Sequence, residues 1–167
     1  MIQKYKQTTF ETCLSCCLLQ AVSQEKITKK NELACINHAM NYSRNDFVIG
    51  HLDFIVKKFN VRIERIVDNK HFYSYIKKIK TQVQKIDLRL IDRFIKKKPI
   101  LYIDSIVLFH VYHYPHFITM LEKEGSKYKI FDVWDGEIKT IDAKIIAQGI
   151  SSLRNKIKLC PQMLIVE

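Results

Sequence analysis

The hydrophobic positions of this chain change their period near Pro99. Before it, Leu14, Cys17, Leu18, Ala21 and Val22 fall at helical spacing, as do Leu33, Ile36 and Met40, and then Leu52, Ile55, Val56 and Phe59. Val61 to Val67 alternates apolar and charged residues and predicts a short strand, after which helical patterns resume over Phe72 to Val83 and Leu88 to Ile95. Pro99 ends the last of these helices, because its ring and missing N–H cannot continue the ladder.

Beyond Pro99 the pattern is that of strands. Ile100 to Phe109 is a strongly apolar strand candidate and His116 to Leu121 another. Glu124-Gly125-Ser126 turns that strand into Tyr128 to Phe131, and Asp135-Gly136 turns the latter into Glu137 to Ile141, an antiparallel meander. A short helix over Ala143 to Gln148 and a strand over Met163 to Val166 complete an α+β arrangement, an N-terminal helical lobe packed on a C-terminal antiparallel β-sheet. No repeat or low-complexity linker interrupts it, so a single domain over 1–167 is expected.

Composition adds constraints. At 167 residues with 47% apolar content the chain is long enough for one real core. There is no run of about 18 uncharged apolar residues, and Met1-Ile2-Gln3-Lys4 lacks the apolar stretch of a signal peptide, so a cytoplasmic protein without a membrane span is expected. Five cysteines, an odd number clustered at 13, 16 and 17 with two more at 35 and 160, read as reduced thiols rather than a disulfide framework. A net charge of +11 sets up a field that favours acidic partners. Lys77-Lys78, Lys80, Lys85 and Lys96-Lys97-Lys98 sit beside apolar residues at helical spacing, which is how a solvated helix face looks, and no nucleic-acid partner is expected.

Two distant stretches carry chemistry. Thiol catalysis needs a cysteine, a base to take its proton, a group to orient that base, and donors for the oxyanion formed on a carbonyl substrate. Cys13, His116, Asp132 and Gln7 supply one candidate for each role. Thr12 is a fair N-cap, which would let Cys13 open the first helix, where free N–H groups and the positive dipole end favour a thiolate. A capping box of Thr8 with Glu11 would instead start the helix one turn earlier. At about 100° per residue, Cys17 lies in the apolar stripe, Cys13 at its edge and Cys16 nearly opposite. His116 begins one strand and Asp132 ends the next, so a hairpin through Gly125 brings the two together.

Other motifs are weaker. Cys13-Leu14-Ser15-Cys16 lacks the preceding strand and βαβ context of a thioredoxin-like site. His110, His113 and His116 are spaced by three, and in an extended segment His113 faces away from the other two. No metal or other cofactor is therefore expected.

In its motifs the chain resembles the papain-like, bacteriocin-processing cysteine peptidases, the peptidase family C39. Members carry Gln, then five residues of which the last is Asp, then Cys-Gly, a residue pair and Cys-Leu. Here Gln7 precedes Cys13 by the same spacing, and Cys17-Leu18 stand at the matching offset. The family's His-Phe-Val/Ile is similar to His116-Phe117-Ile118, its Lys-Pro-Ile to Lys98-Pro99-Ile100, and its Asp-Pro with a turn glycine to Asp132-Val133 with Gly136. The resemblance implies a papain-like fold with Cys13 as nucleophile, His116 as base, Asp132 as orienting residue, and Gln7 with the Cys13 N–H as oxyanion donors. The chain departs from the family in Thr12, Leu14 and Val133, which stand where the family has Asp, Gly and Pro.

Members of that family often precede an ABC transporter and remove leader peptides after a Gly-Gly pair. This implies a peptide or protein substrate with an acidic amphipathic leader that suits the positive charge, and association with an ABC transporter. Leu14 with Tyr112, Tyr114 and Phe117 predicts a narrow apolar channel that takes small residues such as glycine before the scissile bond. Two other readings stay open. An acyltransferase would use the same Cys-His-Asp site through an acyl-enzyme, and a peptide-binding domain would have lost catalysis through the changed flanks of Cys13.

Overall fold

A computed structural model describes residues 2–22, 26–42, 46–70, 76–110 and 112–167. The helical layer begins with α1 (Cys13–Val22), which follows a 3-10 turn over Phe10–Thr12 and packs against α2 (Lys29–Tyr42) and α3 (Phe47–Phe59). α1 carries no charged residue and only Ser15 and Gln20 as polar ones, a composition suited to burial on several sides. Every residue in it except Ala21 is buried. Cys16, expected opposite the apolar stripe, is fully buried as well, because α2 and α3 cover one flank of α1 while the sheet covers another. α3 starts where Asp46 accepts the Ile49 N–H at 3.1 Å and stops where Asn60 adopts a left-handed conformation, φ 58°.

The strands are β1 (Ile63–Val67), β2 (Ile79–Val83), β3 (Ile100–Asp104), β4 (Pro115–Glu124), β5 (Lys127–Asp132), β6 (Glu137–Asp142) and β7 (Gln162–Val166). They form one seven-stranded sheet in the order β2-β1-β7-β3-β4-β5-β6. The protein is α+β, but the sheet is mixed. β1 and β2 run parallel, and both come from the half of the chain that was expected to be helical apart from one strand. β7 lies between β1 and β3, antiparallel to both, and so joins the two halves.

Side chains that alternate along the strands feed two cores. Phe117 on β4 and Phe131 on β5 join Leu18, Leu52 and Ile55 from the α1–α3 layer. Ile118 and Met120 on β4 and Ile130 on β5 join Ile91 from α4 (Leu88–Phe94) and Ile146 from α6 (Ala143–Ser152) on the other face. Each fully buried Leu, Ile or Phe contributes about 1.5–3 kcal/mol, so both faces of the sheet are fixed by its central strands.

Two sequence expectations are corrected. The helix expected over Phe72 to Val83 begins within 71–75, outside the described residues, and its last five residues form β2. Ile79, Thr81 and Val83 are β-branched and alternate with Lys80 and Gln82, a pattern suited to an edge strand, and pairing with β1 satisfies its backbone. The strand expected over Ile100 to Phe109 stops at Asp104, and Ile106–Phe109 form a one-turn helix, α5. The buried Asp104 carboxylate accepts the N–H of Ile106 (3.1 Å) and of Tyr114 (3.3 Å), drawing the chain out of the sheet. Among the described residues no helix is long and apolar enough to cross a membrane.

Candidate active site

The segment that leads into Cys13 is clamped from two sides. On one side the Gln7 N–H donates to the Val133 carbonyl at 2.7 Å, and the Tyr5–Lys6 backbone runs against Gly136. Gly136 has φ +77°, and a Cβ there would sit 3.1 Å from Lys6 N, so this approach requires glycine. On the other side the buried Glu32 of α2 accepts the Tyr5 hydroxyl (2.6 Å), the Thr8 N–H (2.6 Å) and the Thr8 hydroxyl (2.5 Å). Burial opposes its charge, yet the hydroxyls of Thr12, Thr8 and Tyr5 and the Thr8 N–H hold its carboxyl below the usual range.

Thr12 is not the N-cap. Thr9 takes that position in an extended conformation, its N–H donates to Thr12 Oγ1 (3.2 Å), and Thr12 Oγ1 donates back to the Thr9 carbonyl (2.9 Å). The helical run thus starts one turn earlier than a Thr12 cap predicts, with Thr9 and Thr12 in place of Thr8 and Glu11. Cys13 opens α1 one turn inside that run, with 7% of its surface exposed.

His116 near the start of β4 and Asp132 at the end of β5 meet as the hairpin predicts. Thr119 pairs with Phe131, which places His116 and Asp132 on one face of the two-stranded unit. His116 Nε2 lies 2.8 Å from Asp132 Oδ1, and both residues are fully buried. The Trp134 N–H adds a bond to Oδ1 (3.0 Å), and Lys139 Nζ on β6 donates to Oδ2 (2.6 Å). Burial disfavours the Asp132 charge, but His116, Lys139 and the Trp134 N–H together bring its pKa down to about 2. Burial likewise works against the imidazolium, but the bond to Asp132 and the nearby Cys13 sulfur raise His116 to about 9.

His116 Nδ1 is buried without a hydrogen-bond partner, and the Cys13 thiol is close enough to the ring to be one of the groups that raise its pKa. Aromatic rings screen the imidazole from water. Trp134 stands edge-on to it at 6.3 Å between centroids, Phe109 lies at 6.0 Å, and Phe10 packs edge-on against Trp134 at 4.6 Å.

Cys13 lines a cleft of about 230 Å³, whose apolar walls include Phe10, Leu14, Phe47, Tyr102 and Phe117. Tyr102 and Phe117 stack at 4.2 Å. Tyr114 also lines this cleft, whereas Tyr112, expected in the same channel, is exposed and outside it. Glu11 and Asp46 contribute carboxylates, the second held by the buried Arg65 at 2.8 Å.

Gln7 is buried beside this segment, and its amide turns back on the 3-10 turn. Nε2 donates to the carbonyls of Thr9 (2.9 Å) and Phe10 (3.3 Å), while Oε1 is buried without a partner. The remaining thiols are set apart from Cys13 by their surroundings. Burial pushes Cys16 and Cys17 far up and Cys35 up to about 12, and it raises the half-buried Cys160 as well. The histidines spaced by three have separate partners, His113 Nδ1 on Asp104 (2.6 Å) and His116 on Asp132.

Compared with known families and curated proteins, the chain matches no family model and no curated protein.

Sequence reasoning did not single out Lys139, Trp134, Phe109 or Glu32. For Lys139 a signal existed, since a hairpin through Gly136 pairs Asp132 with Glu137 and leaves Lys139 diagonal to the carboxylate. For Glu32 there was none, because its partners Tyr5 and Thr8 lie more than twenty positions away.

Proposed function

We propose that this chain is a papain-like cysteine peptidase that removes leader peptides from small precursors, acting in the cytoplasm in association with an ABC transporter. The observation that carries this reading is the fully buried His116, with Nε2 on Asp132, Nδ1 without a partner, and Cys13 acting on the ring from the wall of a cleft. The α+β layering, with Cys13 one turn inside the first helical run and His116 on the sheet, supports the papain-like assignment.

In this mechanism Cys13 gives its proton to His116 Nδ1, and the sulfur attacks the carbonyl carbon of the scissile amide. The tetrahedral oxyanion is met by the Cys13 N–H and by Gln7 Nε2, which exchanges its longer bond, 3.3 Å to the Phe10 carbonyl, for the substrate oxygen. His116 then protonates the leaving amine, the C–N bond breaks, and a thioester on Cys13 remains. Water, deprotonated by His116, hydrolyses the thioester and returns the thiol. Asp132 keeps the ring oriented and stays ionised throughout.

The apolar cleft admits a small residue before the scissile bond, and upstream contacts with the leader supply the positioning. Arg62, Lys77, Lys78 and Lys80 line a second groove of about 490 Å³, interspersed with Glu64 and Glu167, and are a place for acidic leader residues to dock. The test is a series of peptides with a fixed acidic amphipathic leader and varied residues at the junction. Turnover with Gly-Gly and loss with bulky residues is expected. No hydrolysis of any member, together with an acyl adduct on Cys13 from a thioester, would replace the peptidase with an acyltransferase.

A further inference from the structure

The Asp132 carboxylate is shared, and this sharing bears on how the base is tuned. Its Oδ1 takes His116 Nε2 and the Trp134 N–H; its Oδ2 takes Lys139 Nζ at 2.6 Å. Lys139 is half-buried, bridges to Asp135 at 2.6 Å, and lies 5.0 Å from the Phe109 ring centroid. Although burial works against its charge, Asp132 and Asp135 hold it protonated, with its pKa above the ordinary lysine value. A surface lysine that makes an optional ion pair has none of these constraints.

We propose that Lys139 is a positioning and tuning residue of the Cys13–His116–Asp132 site: by binding Asp132 Oδ2 it fixes the carboxylate plane on His116 and draws off part of the charge that makes the imidazole basic. The proposal rests on the catalytic reading of that site. A fully buried carboxylate with a histidine on one oxygen and nothing on the other would carry an unsatisfied acceptor. It would also place its whole charge on the ring, and a ring that binds its proton too tightly stays protonated when it must take one from water. Lys139 corrects both, since it saturates Oδ2 and its own positive charge opposes a second cation nearby. Among the described residues, Asp132 from β5 and Cys13 from α1 act on the His116 ring directly; Cys17 from α1 faces Cys13 and Asp132, Lys139 from β6 reaches the ring through Asp132, and Asp135 from the turn between those strands reaches it through Lys139.

The test follows the imidazole carbons of His116 by NMR through a pH titration, in a Cys13→Ala background so that the thiol does not contribute. Lys139→Met should move the His116 midpoint upward by about one pH unit. Lys139→Arg, which keeps the cation, should leave it within a few tenths of the parent. An unchanged midpoint in Lys139→Met would overturn the proposal, and so would an equal displacement in both variants, because packing rather than charge would then be at work. If Lys139→Met fails to fold, Lys139→Gln replaces it under the same criteria. None of these outcomes depends on peptidase activity. In parallel, alkylation of the otherwise native chain tests the catalytic reading: Cys13 reacting no faster than Cys160 would remove that reading while leaving the titration result standing.

Discussion

Glu32, on the second helix, accepts both the backbone N–H and the hydroxyl of Thr8, at 2.6 and 2.5 Å, across 24 positions of sequence. Through this contact a buried carboxylate decides where the Gln7–Cys13 segment lies. Glu32→Gln would present an amide N–H2 to donors that need an acceptor. We expect a loss on the order of 2 kcal/mol in chemical denaturation, with Cys13 alkylation slowed. Unchanged stability and alkylation would show that the segment is held by Gly136 and Val133 alone.

The thiols should separate on labelling. Cys13 lines the cleft, Cys160 lines the same cleft but is raised by burial, and Cys16, Cys17 and Cys35 are enclosed. With iodoacetamide near neutral pH, followed by mass spectrometry, Cys13 should react first and Cys160 second. The other three should react only on unfolding. Cys13→Ala should abolish the fast phase, and with it turnover, while the melting temperature changes little. Labelling of Cys160 ahead of Cys13 would argue against an activated thiol.

Gly136→Ala tests the turn that follows Asp132. The added Cβ meets Tyr5 C and Lys6 N at 3.1 Å, and the residue needs φ +77°. Both push the N-terminal segment away from Val133 and loosen Gln7. A stability loss of about 1 kcal/mol or more is expected from the backbone conformation alone, with a fall in kcat larger than any rise in KM. Full activity in this variant would remove the Gly136 contact from the account of the site.

Stability should peak in a narrow pH window. His116 has its folded pKa raised to about 9 from 6.5, so its contribution is complete below 6.5 and is lost as pH rises toward 9. Asp132 is lowered to about 2 from 3.8, so its contribution is present above 3.8 and is lost as pH falls toward 2. His51 has the opposite sense to His116. Burial lowers it to about 4, its Nδ1 donates to the Phe47 carbonyl at 2.9 Å, and its Nε2 is buried without a partner. The folded state therefore excludes a proton that the unfolded chain binds below pH 6.5, and stability falls from 6.5 toward 4, by about 3 kcal/mol at the low end. Urea titrations from pH 4 to 9 should show a maximum near 6.5. His51→Leu should flatten the acidic limb and leave the alkaline one. An acidic limb unchanged in that variant would assign the acid loss to other groups.

Much of this architecture was already written in local pattern. Uncharged α1, the helical spacing of α2, α3 and α4, the turns at Gly125 and Gly136 and the strands they join follow from periodicity and turn chemistry, which act over a few residues. Hairpin geometry is equally local, and that is why His116 and Asp132 could be paired from sequence. Tertiary structure decided whatever depends on partners far along the chain. β2 is a strand because β1 offers it a ladder; Cys16 is buried because two helices and a sheet enclose α1; the chain leaves β3 at Asp104 because that carboxylate finds N–H groups at Ile106 and Tyr114. The helix start belongs to Thr9 because Glu32 and Val133 fix the segment before it. Periodicity records which face of an element is apolar, but the charge on a buried carboxylate and the identity of its counter-ion, Lys139 for Asp132, are set by burial and distance, which exist only once the chain has folded.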